Sequence, residues 1–366
     1  MGVEKGDLLE TIKCILLMCT GLLRAYKDEP GYDQGTRLKA ITIVTEFMYS
    51  VERLRQRIMT EEYLVGFVGL GNVGKSTILN ALFGVAVAPR KNKPMTALCV
   101  EYRYGDQWLI EIRYKNTFRT VTRKCSGPED LLNCVEEYAT EEGDHLDDPI
   151  QSVKVWIPSV LLSKGLVIAD TPGFGAVHEQ HMDRNHEAIL LEYTPRFKNI
   201  YWVINKDQGI TAKEHEFYKT YLKDQCDNLV VTACEDLEED DKERFKTHYN
   251  KKLGLHFMKC DFVSGKRGWS ARVSGNNDDL QESGICSLHD QLSNLGDMEE
   301  RNSILLKELV DRCDEFSSYF YNSETKVVLE WPSTVLKRTI YAARKINFER
   351  DGEEVNLADY IGQRFN

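Results

Sequence analysis

No stretch of this sequence is apolar for long enough to cross a bilayer. The longest uncharged apolar run, Cys14 to Leu23, is about half the ~20 residues a membrane helix needs. Acidic Glu4 and Asp7 precede that run and no small-residue cleavage site follows it, so a secretory signal is not expected. Paired cysteines are missing as well. The ten cysteines are scattered without a C-x-x-C pair, which suits reduced thiols in a cytoplasmic protein better than a disulfide frame or a zinc site. Excess positive charge is also lacking: 47 Lys and Arg stand against 58 Asp and Glu, a net charge of −11. General nucleic-acid binding needs a basic surface and is not expected. There are no internal repeats and no low-complexity blocks. What is present is 366 residues with 42% apolar content, enough for two or three domains and a sizeable core. The expectation is a soluble, cytoplasmic protein.

The most informative stretch runs from Val65 to Thr77, Val-Gly-Phe-Val-Gly-Leu-Gly-Asn-Val-Gly-Lys-Ser-Thr. Leu64 to Val68 reads as a buried strand, Gly69 to Ser76 as a loop, and Thr77 to Phe83 as the first turns of a helix closed by Gly84. In that order, strand, glycine loop and helix turn the string G-x-x-x-x-G-K-[ST] into a phosphate cradle. At ordinary residue usage, chance gives this string in roughly 1% of chains of this length. Backbone N–H groups from Gly69, Gly71, Asn72, Val73 and Gly74 would converge on phosphate oxygens, and the helix start at Ser76 and Thr77 adds partial positive charge. Lys75 would reach the β and γ phosphates, and Ser76 would offer its hydroxyl to Mg²⁺.

Around this loop the periodicity sorts the chain into three segments. Residues 1–60 carry Leu8, Ile12, Ile15, Cys19 and Leu22, then Leu38, Ile41, Val44, Met48, Val51 and Leu54 at helical spacing, broken at Pro30-Gly31. They read as an amphipathic helical hairpin. Residues 61–295 read as an α/β domain. A hairpin is expected from Leu98–Tyr104 and Trp108–Tyr114 joined at Gly105-Asp106. A helix with an exposed loop is expected over 128–148, and strands at Val153–Ile157, Leu166–Ala169, Ile200–Ile204, Asn228–Thr232 and Lys259–Val263, with a helix over Ala212–Leu222. Strands alternating with helices imply a doubly wound, mostly parallel sheet. In residues 296–366 the helical pattern returns from Met298 to Tyr321, expected to pack on the first hairpin as a small α-helical bundle. Val327 to Trp331 is open between strand and helix, and Leu336 to Phe348 is basic and amphipathic.

Two sites lie beside the loop. Asp170-Thr-Pro-Gly173 follows a strand, where a phosphate-loop enzyme needs a carboxylate for Mg²⁺ and a glycine N–H that senses the γ-phosphate. Thr96, twenty-one residues after Lys75, could give its hydroxyl to Mg²⁺ and its backbone to the attacking water.

These residues resemble the dynamin superfamily of large GTPases. The resemblance rests on Gly69 to Thr77, Pro94-x-Thr96, Trp156 to Phe174 and Asp207-Gln-Gly-Ile-Thr211, and covers roughly residues 7–321. It implies Mg²⁺-dependent hydrolysis of GTP to GDP, nucleotide-dependent homodimers formed through the G domains, and a lever-like bundle working at membranes. The match departs at the base site, where such GTPases carry [NT]-K-x-D. Here Thr232 is in place, Ala233 stands for the lysine, and Glu235 or Asp236 supplies the carboxylate. Ser264-Gly265-Lys266 resembles the loop that backs the base, while Asn205-Lys206-Asp207-Gln208 imitates the motif one strand early. An ATPase of similar build and a nucleotide-gated scaffold with little hydrolysis are the rival readings. The chain is short for a self-assembling stalk, which suits a minimal member of the family or a shortened chain. Peripheral membrane contact through Lys337 to Arg350 is weighed against an ordinary packed helix.

No in-line helper side chain is obvious, because Gly71 occupies the position of the dynamin glutamine. Arg90, Lys91 and Lys93 could act across a dimer or be solvated loop charges. Asn72 either holds K⁺ between the phosphates or only stabilises the turn. If it holds K⁺, we expect phosphate release from GTP to be faster in KCl than in NaCl, and Asn72→Ala to erase the difference. Equal rates in the two salts would leave the turn-stabilising role.

Overall fold

The computed structural model describes residues 3–28, 33–89, 98–139, 149–173, 186–223, 226, 228–253, 259–321 and 333–365. The chain divides into two units, Met1–Glu61 with Asp297–Asn366, and Glu62–Gly296.

The first unit is helical. It contains α1 (Lys5–Asp28) and α2 (Gln34–Met59) from the start of the chain, with α11 (Met298–Tyr321), α12 (Ser333–Ala343) and α13 (Leu357–Phe365) from its later part. Asp33 begins α2 by accepting the backbone N–H groups of Gly35 and Thr36, which would otherwise lack partners. Leu8, Ile12, Ile15, Cys19 and Leu22 face Val44, Val51, Leu306, Leu309 and Phe316 in one core. Each such side chain contributes roughly 1.5–3 kcal/mol on leaving water. Phe47 stacks on Phe316 with ring centroids 4.2 Å apart. Arg57 and Glu308 form a nearly buried two-pronged ion pair. The basic stretch near the end departs from expectation. Its helix stops at Ala343, and Asn347–Arg350 pairs with Glu353–Asn356 as the small hairpin β10–β11. Leu336, Ala343 and Ile346 lie in the bundle core, while Tyr341 is exposed. Val327 to Trp331 lies outside the described residues.

The second unit is a nine-stranded sheet flanked by helices. Its strands are β1 (Tyr63–Val68), β2 (Val100–Tyr104), β3 (Leu109–Tyr114), β4 (Thr120–Lys124), β5 (Ile150–Ile157), β6 (Leu166–Asp170), β7 (Asn199–Asn205), β8 (Asn228–Thr232) and β9 (Lys259–Phe262). They lie in the order β4-β3-β5-β2-β6-β1-β7-β8-β9. From β6 to β9 every pair is parallel. All residues of β1, β6 and β8 are buried, as expected for strands covered on both faces. On one face, Leu64, Val68, Trp202, Ile204 and Val231 pack with α5 (His186–Tyr193), α6 (Ala212–Phe217) and α7 (Glu239–Leu253) through Leu190, Phe217 and Tyr249. The other face carries α3 (Lys75–Phe83), α8 (Gly265–Ser274) and α10 (Ile285–Gly296), while α4 (Pro128–Ala139) lies against β3 and β5 and α9 (Asn277–Glu282) against α8 and α10. The helix after β7 ends at Phe217 and continues to Leu222 as a π-helical turn, so the expected Ala212–Leu222 helix changes its winding partway.

The expected β2–β3 hairpin does not form. β5 inserts between the two strands, parallel to β2 and antiparallel to β3, and β3 makes its hairpin with β4. The short link 105–108 therefore spans two strand spacings, about 10 Å, by crossing the end of β5. Gly105 makes the crossing possible. Its N–H donates to the Ile157 carbonyl at 3.1 Å, and an added Cβ would sit 2.8 Å from the Trp156 Cβ. β5 gains a partner on each side and buries Val153, Val155 and Ile157.

We expect Gly105→Ala to lower the unfolding free energy by about 1–3 kcal/mol in denaturant titration. Gly6→Ala, on α1 with nothing within 4 Å of the new carbon, serves as the control that does not destabilise.

Candidate nucleotide site

β1 lies between β6 and β7, and the loops at the carboxyl ends of these parallel strands meet over one edge. Ligands bind α/β sheets at such an edge, where the strand order reverses. The loop after β1 is locally unusual. Asn72 has φ +63 and Gly74 has φ +102, and α3 starts at once with Lys75. Asparagine tolerates the left-handed region better than most residues, which is a conformational reason for Asn72 at that place. Val73 is buried and its carbonyl accepts the Thr232 hydroxyl at 2.7 Å; the same hydroxyl lies 3.1 Å from the Ile204 carbonyl. The loop is thereby tied to β7 and β8.

Lys75 is buried, and its ammonium donates to the Gly69 and Leu70 carbonyls at 3.0 and 2.8 Å. Burial lowers its pKa to about 8, with Asp170 and Glu214 opposing the shift. The Ser76 hydroxyl donates to Asp170 Oδ2 at 2.7 Å. Asp170 ends β6, is buried, and titrates above the ordinary carboxylate range because burial outweighs the attraction of Lys75 and the Ser76 hydrogen bond. Its Oδ1 is buried with no hydrogen-bond partner among the described residues. A serine hydroxyl beside a carboxylate oxygen with spare lone pairs is the donor set a hard divalent ion takes. These residues fit Mg²⁺.

Thr171 bonds the Phe67 carbonyl at 2.7 Å and holds the following turn onto β1. Gly173 then reaches the loop itself: a Cβ there would lie 2.4 Å from the Gly71 nitrogen. Only glycine lets the two backbones approach this closely. Thr77 sits in the first turn of α3. Thr96, Arg90, Lys91 and Lys93 lie outside the described residues.

The residues expected at the base lie on three segments. Thr232 ends β8 and Ala233 follows with φ +56. The hydroxyl of Ser264, the N-cap of α8, donates to the Glu235 carboxylate and accepts the Arg267 N–H at 3.1 Å. Gly265 packs on Ile78 of α3, and Lys266 is exposed. Asp236 is exposed and pairs with Lys206, whose N–H also donates to the Thr232 carbonyl at 3.0 Å. The hydrogen bond from the Lys206 ammonium holds the Asp236 carboxyl below its ordinary pKa. Asn205 accepts the Asp207 N–H at 2.8 Å, so Asn205-Lys206-Asp207 forms its own turn and contributes its lysine to the neighbouring segment.

One further residue beside Lys75 is not among those the motifs mark. Glu214 is almost wholly buried and closes a capping box with Thr211 at the start of α6. Its other oxygen, Oε1, has no hydrogen-bond partner among the described residues, and its charge acts on Lys75. The spacing Thr211-x-x-Glu214 is the sequence signal that could have marked it.

Residues 65–251, half of the chain, match the family model for the dynamin family. The chain is 26% identical over 159 residues to a bacterial dynamin-like protein of Nostoc punctiforme, covering 41% of this chain and 21% of that one. It is 23% identical over 165 residues to an uncharacterized protein in the xynA 3′ region of Caldicellulosiruptor, covering 45% and 38% respectively. Among solved structures it is similar to one described as an oligomerised bacterial dynamin pair that provides a mechanism for the long-range sensing and tethering of membranes. That likeness has a TM-score of 0.50 and 16% identity, and covers 91% of this chain and 60% of the other. At this identity the likeness concerns the fold. The chain spans less than two fifths of the length of these curated relatives. No helix among the described residues is long and apolar enough to cross a membrane.

The depressed pKa of Lys75 sets a direction for stability. Its folded value of about 8 lies below the ordinary 10.5, so between these pH values the unfolded chain holds more protons and stability rises with pH. The cost of the buried charge is fully present below pH 8 and is relieved toward 10.5. We expect denaturant titrations of the nucleotide-free protein and of Lys75→Met to show a stability advantage of the variant that is largest below pH 8 and shrinks toward 10.5.

Proposed function

Because the chain belongs to the dynamin family, we propose that its α/β unit binds GTP and hydrolyses it to GDP and phosphate. The observation that carries this reading is the cluster of Lys75, Ser76 and Asp170 at the mouth of the glycine loop, with Gly173 against Gly71. Lys75 reaches from its carbonyl partners to the β and γ phosphates when the nucleotide enters. Ser76 and Asp170, together with Thr96, would hold Mg²⁺, which would supply charge neutralisation on the phosphates. The Gly173 N–H senses the γ-phosphate, so its loss on hydrolysis alters the turn after β6.

Guanine is read by Glu235, which takes the two N–H donors of the base. The Ser264 hydroxyl on that carboxylate supports this register over Asp236, and Lys206, paired with Asp236, brings the cation that Ala233 lacks. Asn72 either binds K⁺ or holds the turn. On binding GTP, two copies pair through their G domains and the helical bundle swings, doing work peripherally at a membrane. Membership of the dynamin family and the membrane-tethering description of the similar bacterial pair support that last step.

Steady-state phosphate release with GTP and with ATP, over a range of protein concentrations, tests the proposal. We expect turnover of GTP only, with specific activity that climbs with protein concentration. Glu235→Ala should reduce the preference for GTP by about 10–100-fold, the worth of hydrogen bonds to a charged group, while Asp236→Ala should leave most of it. Turnover of ATP, or tight GTP binding without hydrolysis, would overturn the proposal.

A further inference from the structure

Away from the nucleotide site, at the β4 end of the sheet, Cys125, Asp130 and Cys134 converge. Cys125 directly follows β4, and its N–H is bonded to the Trp108 carbonyl at 2.9 Å. Asp130 and Cys134 stand on α4 four residues apart, a spacing that puts them on one face a turn apart. The ligand atoms of the three side chains lie within 4.8 Å of one another. Among the described residues no other group of three or more His, Cys, Asp or Glu side chains offers this.

We propose that Cys125, Cys134 and Asp130 form a binding site for a borderline-soft divalent ion of the zinc class. The distance between the two sulfurs carries the argument. Two thiolates about 2.3 Å from a tetrahedral ion stand about 3.8 Å apart, and Cys125 Sγ and Cys134 Sγ are 3.8 Å apart. No side chain has to move far to close the site. The carboxylate is also oriented. Asp130 Oδ2 accepts the Ser126 N–H at 2.8 Å and lies 3.3 Å from the Ser126 hydroxyl, while Oδ1 accepts Arg123 at 2.8 Å. An ionised carboxylate has about four lone-pair positions, so both oxygens keep capacity for a metal, and such outer partners fix a ligand in place.

Charge points the same way. Two thiolates and a carboxylate beside the Arg123 guanidinium sum to −2, which one divalent ion neutralises. Sulfur donors favour zinc over Mg²⁺, so this site and the nucleotide site select different ions. Cys125 and Asp130 are only partly buried, which leaves an entry path and an open fourth position for water. Bound metal would fasten the strand that edges the sheet to the helix beside it.

The test uses the full chain, reduced, stripped with a chelator and free of nucleotide, in excess Mg²⁺. Zn²⁺ is titrated against a chelating indicator, and Co²⁺ is followed by the visible absorption of a tetrahedral thiolate complex. One equivalent is expected. Cys125→Ser and Cys134→Ser should each lose it. Asp130→Asn should weaken it at least about 10-fold. Cys286→Ser, on α10, should bind as the unaltered chain does. If Cys134→Ser fails to fold, the partly exposed Cys125→Ser carries the comparison. Absence of binding to the unaltered chain, binding that survives both cysteine changes, or a Cys125–Cys134 disulfide that persists under reductant would overturn the proposal.

Discussion

An ammonium and a carboxylate with little access to water, Lys75 and Asp170, set the terms for the rest of the α/β unit. Neither is well solvated, and each shifts away from its ordinary titration because burial outweighs the attraction between them. Such groups persist only where surrounding hydrogen bonds fix them. The Gly69 and Leu70 carbonyls hold one, and the Ser76 hydroxyl holds the other. Those partners are in turn fixed by the glycine loop and the first turn of α3, which rest on fully buried parallel strands. The sheet is thus the rigid base on which these two unfavourable charges are held.

The base side follows a different logic. Its carboxylates, Glu235 and Asp236, are exposed, while Thr232 and Ser264 are buried and hydrogen-bonded, so the arrangement can draw on separate segments. Thr232 comes from β8, Ser264 from the start of α8, and Lys206 from the end of β7, reaching across to Asp236. A lysine displaced from one strand can be replaced from the next because parallel neighbours end at the same edge, only about 4.8 Å apart.

What could be read in the sequence follows from the range of the interactions involved. The glycine loop, its strand and its helix were legible because their signals are local, and the long helices because their apolar spacing repeats. The family was legible from Gly69 to Thr77 with the segment ending at Phe174. The separation of β2 from β3 is not legible because Gly105-Asp106 resembles a hairpin turn, whereas β5, which takes the place between them, comes later in the chain. The end of α12 was overrun because the basic amphipathic pattern continues through a short strand. Cys125 and Cys134 lack zinc-finger spacing; a strand end and a helix face bring them together. The partnership of Lys206 and Asp236 likewise depends on strand neighbours, which no local pattern shows.

The helical unit is interrupted by the other. α1 and α2 complete their core with α11, and the ion pair between Arg57 and Glu308 joins residues 251 positions apart. During synthesis the first two helices therefore emerge with one apolar side uncovered, and stay so until the whole sheet has been made. A flexible loop of that length would be entropically costly to close, but a sheet that folds first turns most of it into a compact insert. Assembly order is thus written into the chain: the α/β unit can fold as a unit of its own, and the bundle must wait for it. A lesion that slows folding of the sheet would prolong the exposure of Leu8, Ile12 and Ile15, and the failure would surface as aggregation through helices that the lesion never touches.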